Sequence, residues 1–384
     1  MPPLSTHQVI EWTEAGRAHD ARWRSENGAP PPRRVATADD RMTADTAYRL
    51  ACEGTALLWR GDYQGARQLL SAMARRADRG PRRPRRRRAP AASPAEAFHQ
   101  HRQAQSRRAR VLGMLLVPLD GDYGVPLRRA PDVRQACAEA YGPAEGPSVT
   151  SLRELLGLIG AHEWRTKGVA VPALGGDRIH PHYGVFSPVR GEYVDLVAEA
   201  PLPGDRSLAY DIGTGTGVLA AVLARRGVGR VVATDQDPRA LACAEENIAR
   251  LGLAGRVDVV REDLFPAGRA PLVVCNPPWV PARPTSPVEY AVYDPGGRML
   301  HGFLDGLAGH LAPGGEGWLI LSDLAEHLGL RPRAELTAAF EAAGLKVVDR
   351  LDTRPVHRRA TDPDDPLHEA RAAEVTSLWR LAAG

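Results

Sequence analysis

From about Gly175 onward the chain alternates short apolar runs with amphipathic stretches. That rhythm restricts the second half to a largely parallel sheet wrapped by helices. Strands are expected at Ser207–Ile212, Arg230–Thr234, Arg256–Val260, Leu272–Cys275, Gly317–Leu321, Leu345–Leu351 and Val375–Leu381. Helices are expected in the first four gaps and again at Ala334–Ala343. The last connection, "DTRPVHRRATDPDDPLHEARAAE", reads as free of helix, which predicts an antiparallel hairpin at the sheet edge. The fold class is therefore α/β: a seven-stranded, mostly parallel, doubly wound sheet with a C-terminal antiparallel hairpin, preceded by a helical N-terminal region.

That preceding region reads as residues 1–74, with a helix and a Pro-rich break, "GAPPPRR", before residue 40. In "TADTAYRLACEGTALLWRGDYQGARQLLSAMARR" apolar residues recur at three- and four-residue steps, interrupted at Gly61-Asp62. The segment "LLWRGDYQGARQLL" resembles one tetratricopeptide-like helical hairpin, although a lone repeat cannot bury its apolar face. Residues 75–95 form an Arg/Pro-rich linker, and residues 96–170 a second helical region. There Ser151-x-x-Glu154 has the spacing of a capping box. The final domain spans 171–384.

Charge is concentrated in one place. The net charge is only +4, yet Arg75 to Arg110 holds 13 arginines against Asp78 and Glu96. The run has two readings: a solvated, disordered linker, or a flexible arm that contacts RNA, the ribosome or another polyanion. Its densest part, "RRADRGPRRPRRRRAPAASPAE", contains no aromatic residue to stack on bases. Four scattered cysteines, Cys52, Cys137, Cys243 and Cys275, make neither a disulfide frame nor a zinc site, and point to a cytoplasmic protein. No apolar run reaches the ~18 residues of a membrane span, and the N-terminus lacks the apolar centre of a signal peptide. No membrane partner is expected. His180-x-His182 lacks a third ligand at metal spacing, so no metal is expected.

The chemistry is concentrated at the ends of the first four strands. "AYDIGTGTGVLAAVLARRG" places Gly213, Gly215 and Gly217 between a strand and a helix, where the backbone turns tightly and approaches a ligand without a Cβ in the way. The spacing is neither G-x-G-x-x-G nor a phosphate loop. Asp211 beside the loop suits a ligand carrying an ammonium and repels a pyrophosphate. S-adenosyl-L-methionine (SAM) fits; NAD and ATP fit less well. Asp235, ending the second strand, can accept both ribose hydroxyls. Asp237 before Pro238 reads as a helix cap. Asp263 can accept from an adenine amino group, with Leu264 packing on the ring.

The fourth strand runs into Asn276-Pro277-Pro278-Trp279, residues that serve a sheet poorly. They suit another task. A planar NH2 group has a delocalised lone pair, and two acceptors on its N–H bonds favour that lone pair's development toward an electrophile. The Asn276 side-chain oxygen and the Pro277 carbonyl are suited to this. The prolines stiffen the backbone, and Trp279 offers a flat face.

The motifs "DIGTGTG", "TDQDPRAL", "EDLF" and "VVCNPPW" resemble those of the class I SAM-dependent N-methyltransferases, closest to the release-factor glutamine methyltransferases, with kinship to adenine-N6 and guanine-N2 nucleic-acid methyltransferases. The likeness covers roughly residues 178–325. It implies that Gly213 to Gly217, with Thr214 and Thr216, cradle the methionine part of SAM. It assigns Asp235 to the ribose, Asp263 and Leu264 to the adenine, and Asn276 to Trp279 to the acceptor. "YDPGGRMLHGFLDGL" is also similar to the family's segment after the motif. Three departures bear on the acceptor. Trp279 replaces a usual Tyr. The approach segment "SPVRGEYVDLV" keeps Arg190 and Glu192 but has Val194 in place of a second Glu. The N-terminal region is longer. The expected acceptor is a protein glutamine side chain, with amino groups of RNA or DNA, or a small metabolite, as alternatives.

Overall fold

A computed structural model describes residues 8–79, 91–189, 191–284, 289, 292–356 and 362–384. The Arg82–Arg88 run and Arg190 lie outside the described residues. The chain divides into two compact units, Met1–Pro90 with Gln100–Glu163, and Ala91–His99 with Trp164–Gly384.

The first unit corrects the sequence expectation. It is not a pair of helical regions but a six-stranded mixed sheet with helices. In chain order its elements are β1 (Val9–Glu14), β2 (Arg17–Arg24), β3 (Arg34–Ala38), α1 (Ala44–Cys52), β4 (Thr55–Trp59), α2 (Tyr63–Arg79), α3 (Pro94–Leu112, from Gln100 on), β5 (Leu115–Leu119), α4 (Arg134–Tyr141), β6 (Ser148–Ser151) and α5 (Leu152–Lys167, as far as Glu163). The strand order is β1-β2-β6-β5-β4-β3.

Each misreading has a local cause. Residues 9–24 form a hairpin, not a helix, because Ala15 and Gly16 both take left-handed φ, 50° and 75°, at its two-residue turn. The usual Asn-Gly or Asp-Gly signature is missing, and Gly16 alone marks the turn in the sequence. "TALLW" and "LLVPL" are five-residue apolar runs, too short for periodicity to separate a buried strand from a helix. Gly54, φ 82°, ends α1 and turns the chain directly into β4. The tetratricopeptide-like reading fails for the same reason: Leu57 to Trp59 are strand, paired in parallel with β3. At α5, Ser151 accepts from the Glu154 N–H at 3.2 Å. The Glu154 carboxylate turns instead to the Tyr141 hydroxyl and the Glu26 N–H. Half of the capping box is present.

The second unit carries β7 (Val169–Ala170), β8 (Arg178–Ile179), α6 (Glu192–Glu199), β9 (Leu208–Ile212), α7 (Val218–Arg225), β10 (Arg230–Asp235), α8 (Pro238–Arg250), β11 (Val257–Arg261), β12 (Ala270–Cys275), α9 (Arg298–His310), β13 (Leu311–Ser322), α10 (Leu324–His327), α11 (Arg333–Ala342), β14 (Leu345–Thr353), α12 (His368–Ala373) and β15 (Thr376–Ala383). Its large sheet has the order β11-β10-β9-β12-β13-β15-β14, parallel from β11 to β13 and antiparallel at both pairings of β15. Two expectations fail in detail. No helix fills the gap between β11 and β12, whose eight residues are too few for a helical crossover, and the last connection does hold a short helix, α12.

Alternate residues of each central strand face opposite layers. Ala209, Leu272 and Val274 pack under α6 and α7, while Tyr210, Ile212, Val273 and Cys275 pack under α9 and α11. Burial on both faces is why these strands read as unbroken apolar runs. No helix among the described residues is long and apolar enough to cross a membrane.

Ala15 in its left-handed turn is a strained residue that Asn tolerates better. Ala15→Asn is expected to stabilise the first unit by about 0.5–1 kcal/mol, seen as a higher urea midpoint of its unfolding transition.

Candidate active site

The loop after β9 is held by the strand next to it. The N–H groups of Gly213 and Thr214 both donate to the Thr234 carbonyl, each at 2.9 Å. Gly213, Gly215 and Gly217 have φ of 71°, 55° and 80°, a region side chains rarely enter. The Met299 methyl, the end of a flexible side chain, lies over Gly213. Thr214 and Thr216 are buried within the loop.

Asp211 is turned inward beneath this loop. Its Oδ2 accepts from the Thr214 hydroxyl at 2.7 Å and from the Ala220 N–H at 3.0 Å, so it ties the loop to the first turn of α7. Burial is the largest influence on its carboxyl and raises it from an ordinary 3.8 to about 6. Sequence reading had given Asp211 a ligand-facing role; the structure shows a carboxylate whose Oδ2 already braces the loop.

Asp235 stands at the C-terminal end of β10, half-buried. Its Oδ2 accepts from Gly215 N–H at 3.1 Å and its Oδ1 from Asp237 N–H at 3.0 Å. Burial raises its carboxyl as well. Asp237 caps α8 through the Arg239 N–H at 2.9 Å, with Pro238 in the first turn. Beyond β11, Leu264 adopts φ 81°, an outlier for a bulky residue. Its carbonyl accepts from the Thr234 hydroxyl at 2.6 Å, which holds the strained turn against β10. Asp263 is exposed, and its Oδ2 is ion-paired with Arg298 at 2.6 Å.

β12 pairs with β9 in parallel, with Val274 opposite Asp211 and Cys275 opposite Ile212. Asn276 and Gly213 are therefore the next residues on neighbouring strands. The Asn276 Oδ1 accepts from the Trp279 indole N–H at 2.9 Å. Pro277 is buried, Pro278 half-buried, and Trp279 packs against core clusters on both faces of the sheet. Gly213 to Gly217, Asp235, Leu264 and Asn276 thus all stand at or just past the carboxyl ends of neighbouring strands, β9 to β12. Asp263 directly precedes Leu264 and is ion-paired with Arg298 on α9.

Four residues here escaped the sequence reading. Met299 covers Gly213. Asp294, buried, accepts from the Met299 and Leu300 N–H groups at 2.9 and 3.2 Å and so fixes the start of α9. Asn247 donates to the carbonyls of Thr216 and His180, joining the glycine loop to the 180–188 segment. Arg298 holds Asp263. Only Asp294-Pro295-Gly296-Gly297 had a visible signal, an acidic residue before a helix start. His180 and His182 are used in packing: His180 Nδ1 meets the Arg165 carbonyl, and His182 Nε2 meets Glu246 at 2.8 Å. Among the described residues no group of three or more His, Cys, Asp or Glu could hold a metal. Glu192 accepts from the Val356 N–H at 2.9 Å, so it bonds the backbone that follows β14.

Residues 178–345 match the methyltransferase small domain. The matched span runs from β8 to the first residue of β14 and contains Asp211, the glycine loop, Asp235, Asp263 and Asn276 to Trp279. It is 42% identical over 144 residues to a ribosomal protein L11 methyltransferase of Pelotomaculum thermopropionicum, covering 37% of this chain and 39% of that protein. It is 34% identical over 167 residues to a release factor glutamine methyltransferase of Cereibacter sphaeroides, covering 40% of this chain and 58% of that protein. The chain thus spans 39% and 58% of the length of these two relatives. A solved methyltransferase from Pyrococcus furiosus is 18% identical with a TM-score of 0.40, over 59% of this chain and 98% of that one.

The raised Asp211 carboxyl has a pH signature. The native state keeps this proton between the unfolded value of 3.8 and about 6. Its contribution to stability is therefore present below pH ~4 and lost as pH rises to ~6. Asp211→Asn is expected to gain on the wild type by roughly 3 kcal/mol between pH 4 and pH 7, measured by urea unfolding at each pH.

Proposed function

We propose that this protein is a SAM-dependent N-methyltransferase whose acceptor is a planar amide or amino nitrogen, in the first instance a protein glutamine side chain. The observation that carries the reading is the parallel pairing of β9 with β12, which sets the glycine loop and Asn276 side by side.

The residues fit the cofactor. Three left-handed glycines leave an approach without Cβ atoms, and the buried Asp211 charge lies beneath a cationic ligand. Asp235 offers carboxylate oxygens that exchange their bonds to Gly215 and Asp237 for ribose hydroxyls. Leu264 packs along the adenine. Asp263 binds the adenine amino group once Arg298 releases it. When bound, SAM supplies an electrophilic methyl on a sulfonium sulfur.

The chain then does the positioning. The second lone pair of Asn276 Oδ1 and the Pro277 carbonyl accept the two N–H bonds of the acceptor nitrogen, holding it flat and aiming its lone pair. Trp279 offers a face beside it. These dipoles are preformed, because Pro277 and Pro278 restrict the backbone that carries them. Asn276 Oδ1 keeps its hydrogen bond to the acceptor until solvent water takes the proton from the methylated, cationic nitrogen.

Two observations weigh on the acceptor. Relatives named for ribosomal protein L11 and release-factor glutamine favour a protein target. In the second unit Arg225, Arg230, Arg250, Arg298, Arg333 and Arg380 are each ion-paired, which leaves less positive charge for phosphates. The arginine excess between Arg75 and Arg110 favours the second reading, amino groups of RNA or DNA, or a contact with the ribosome during protein methylation. Of its described members, Arg76 and Arg108 are ion-paired with Asp45 and Asp78. Reduced cysteines fit a cytoplasmic setting.

Tritiated-methyl SAM added to lysate from cells lacking the protein is expected to label a protein band that resists nuclease; label confined to nucleic acid favours the second reading. Asn276→Ala should retain SAM affinity and lose turnover by roughly 100-fold or more; unchanged turnover contradicts its role. Asp235→Ala should weaken SAM binding by roughly 10- to 100-fold, read by calorimetry.

A further inference from the structure

The Asn276 side chain has two ends of nearly the same shape, an oxygen that accepts and an NH2 that donates. Only the oxygen can receive an N–H from the nitrogen to be methylated. We propose that Trp279 is the positioning residue that makes this choice, acting through its indole N–H and not only through its ring face. The inference rests on the methyl-transfer reading above and goes on to name what orients its central amide.

An indole N–H donates and cannot accept. It stands 2.9 Å from Asn276 Oδ1. Turning the amide over would set two donors against each other at that distance and leave a half-buried N–H without a partner. The oxygen therefore stays on the Trp279 side, and one of its two lone pairs remains for the acceptor.

Trp279 has little freedom to follow a rotating amide. Pro277 and Pro278 restrict the backbone before it. Its ring packs against core clusters on both faces of the sheet. Its carbonyl receives Nη2 of the buried Arg331 at 3.5 Å. The chain of contacts runs from a buried guanidinium through the Trp279 backbone and indole to the amide oxygen.

Trp279→Phe keeps a flat ring and removes the N–H. With nuclease-treated lysate from cells lacking the protein as acceptor, its maximal methyl-transfer rate is expected to fall roughly 10- to 100-fold. The KM for SAM and the affinity for S-adenosylhomocysteine should stay within about twofold, since neither needs the amide. A rate equal to the wild type, or a loss of S-adenosylhomocysteine affinity in step with the rate, overturns the inference. If Trp279→Phe does not fold, the bond is read directly in 15N-tryptophan spectra. There Asn276→Asp should move one indole N–H downfield, because a carboxylate is the stronger acceptor; an unmoved set of indole signals overturns the inference. Absence of any methyl transfer by the wild-type protein would sink the functional reading itself, a separate result.

Discussion

The candidate site depends on one backbone pairing, that of β9 with β12. Parallel strands finish side by side, so Ile212 opposite Cys275 makes Gly213 and Asn276 neighbours at the carboxyl ends of the central strands. A slip of one residue would send Asn276 to the other face and exchange the buried sets on both sides of β12. Leu272 and Val274 on one face, with Val273 and Cys275 on the other, resist that slip because both layers are packed. The chain reverses its winding between these strands, the place where open α/β sheets leave a crevice.

Around that crevice the polar groups are tied to each other. Asp211 holds the loop to α7, Thr234 holds both the loop and Leu264, and Trp279 holds Asn276. Among the described residues of the second unit, Leu264 is the one non-glycine with positive φ, and it falls here. Strain of this kind persists where neighbouring bonds over-determine the backbone. The result is a site whose dipoles are preset, the condition under which a positioned amide can act without a strong base.

How much was legible differs between the two halves for a physical reason. Asp237 announced itself as a cap because capping is local: one side chain, one N–H two residues on, and a proline. Asn276-Pro277-Pro278-Trp279 was legible because those residue types contradict a strand. The first unit was not legible. Its strands β4 and β5 are short and wholly apolar, and its hairpin turns at Ala15-Gly16, so local pattern carried no sign of sheet. The Arg298–Asp263 pair and the Met299 cover were equally hidden, since partners 35 and more residues apart leave no periodic trace.

By itself the sequence determined the alternation of strand and helix after Gly175, the glycine turn, and the polar break after the fourth strand, all matters of residue type and short-range spacing. Only the tertiary structure decided which atoms of that site are already engaged. It turned Asp211 inward, gave Asp263 to Arg298, and set the indole of Trp279 on the amide oxygen of Asn276. Hydrogen-bond partnership depends on distance and direction in space, and those are set by how strands and helices pack, not by the order of residues along the chain.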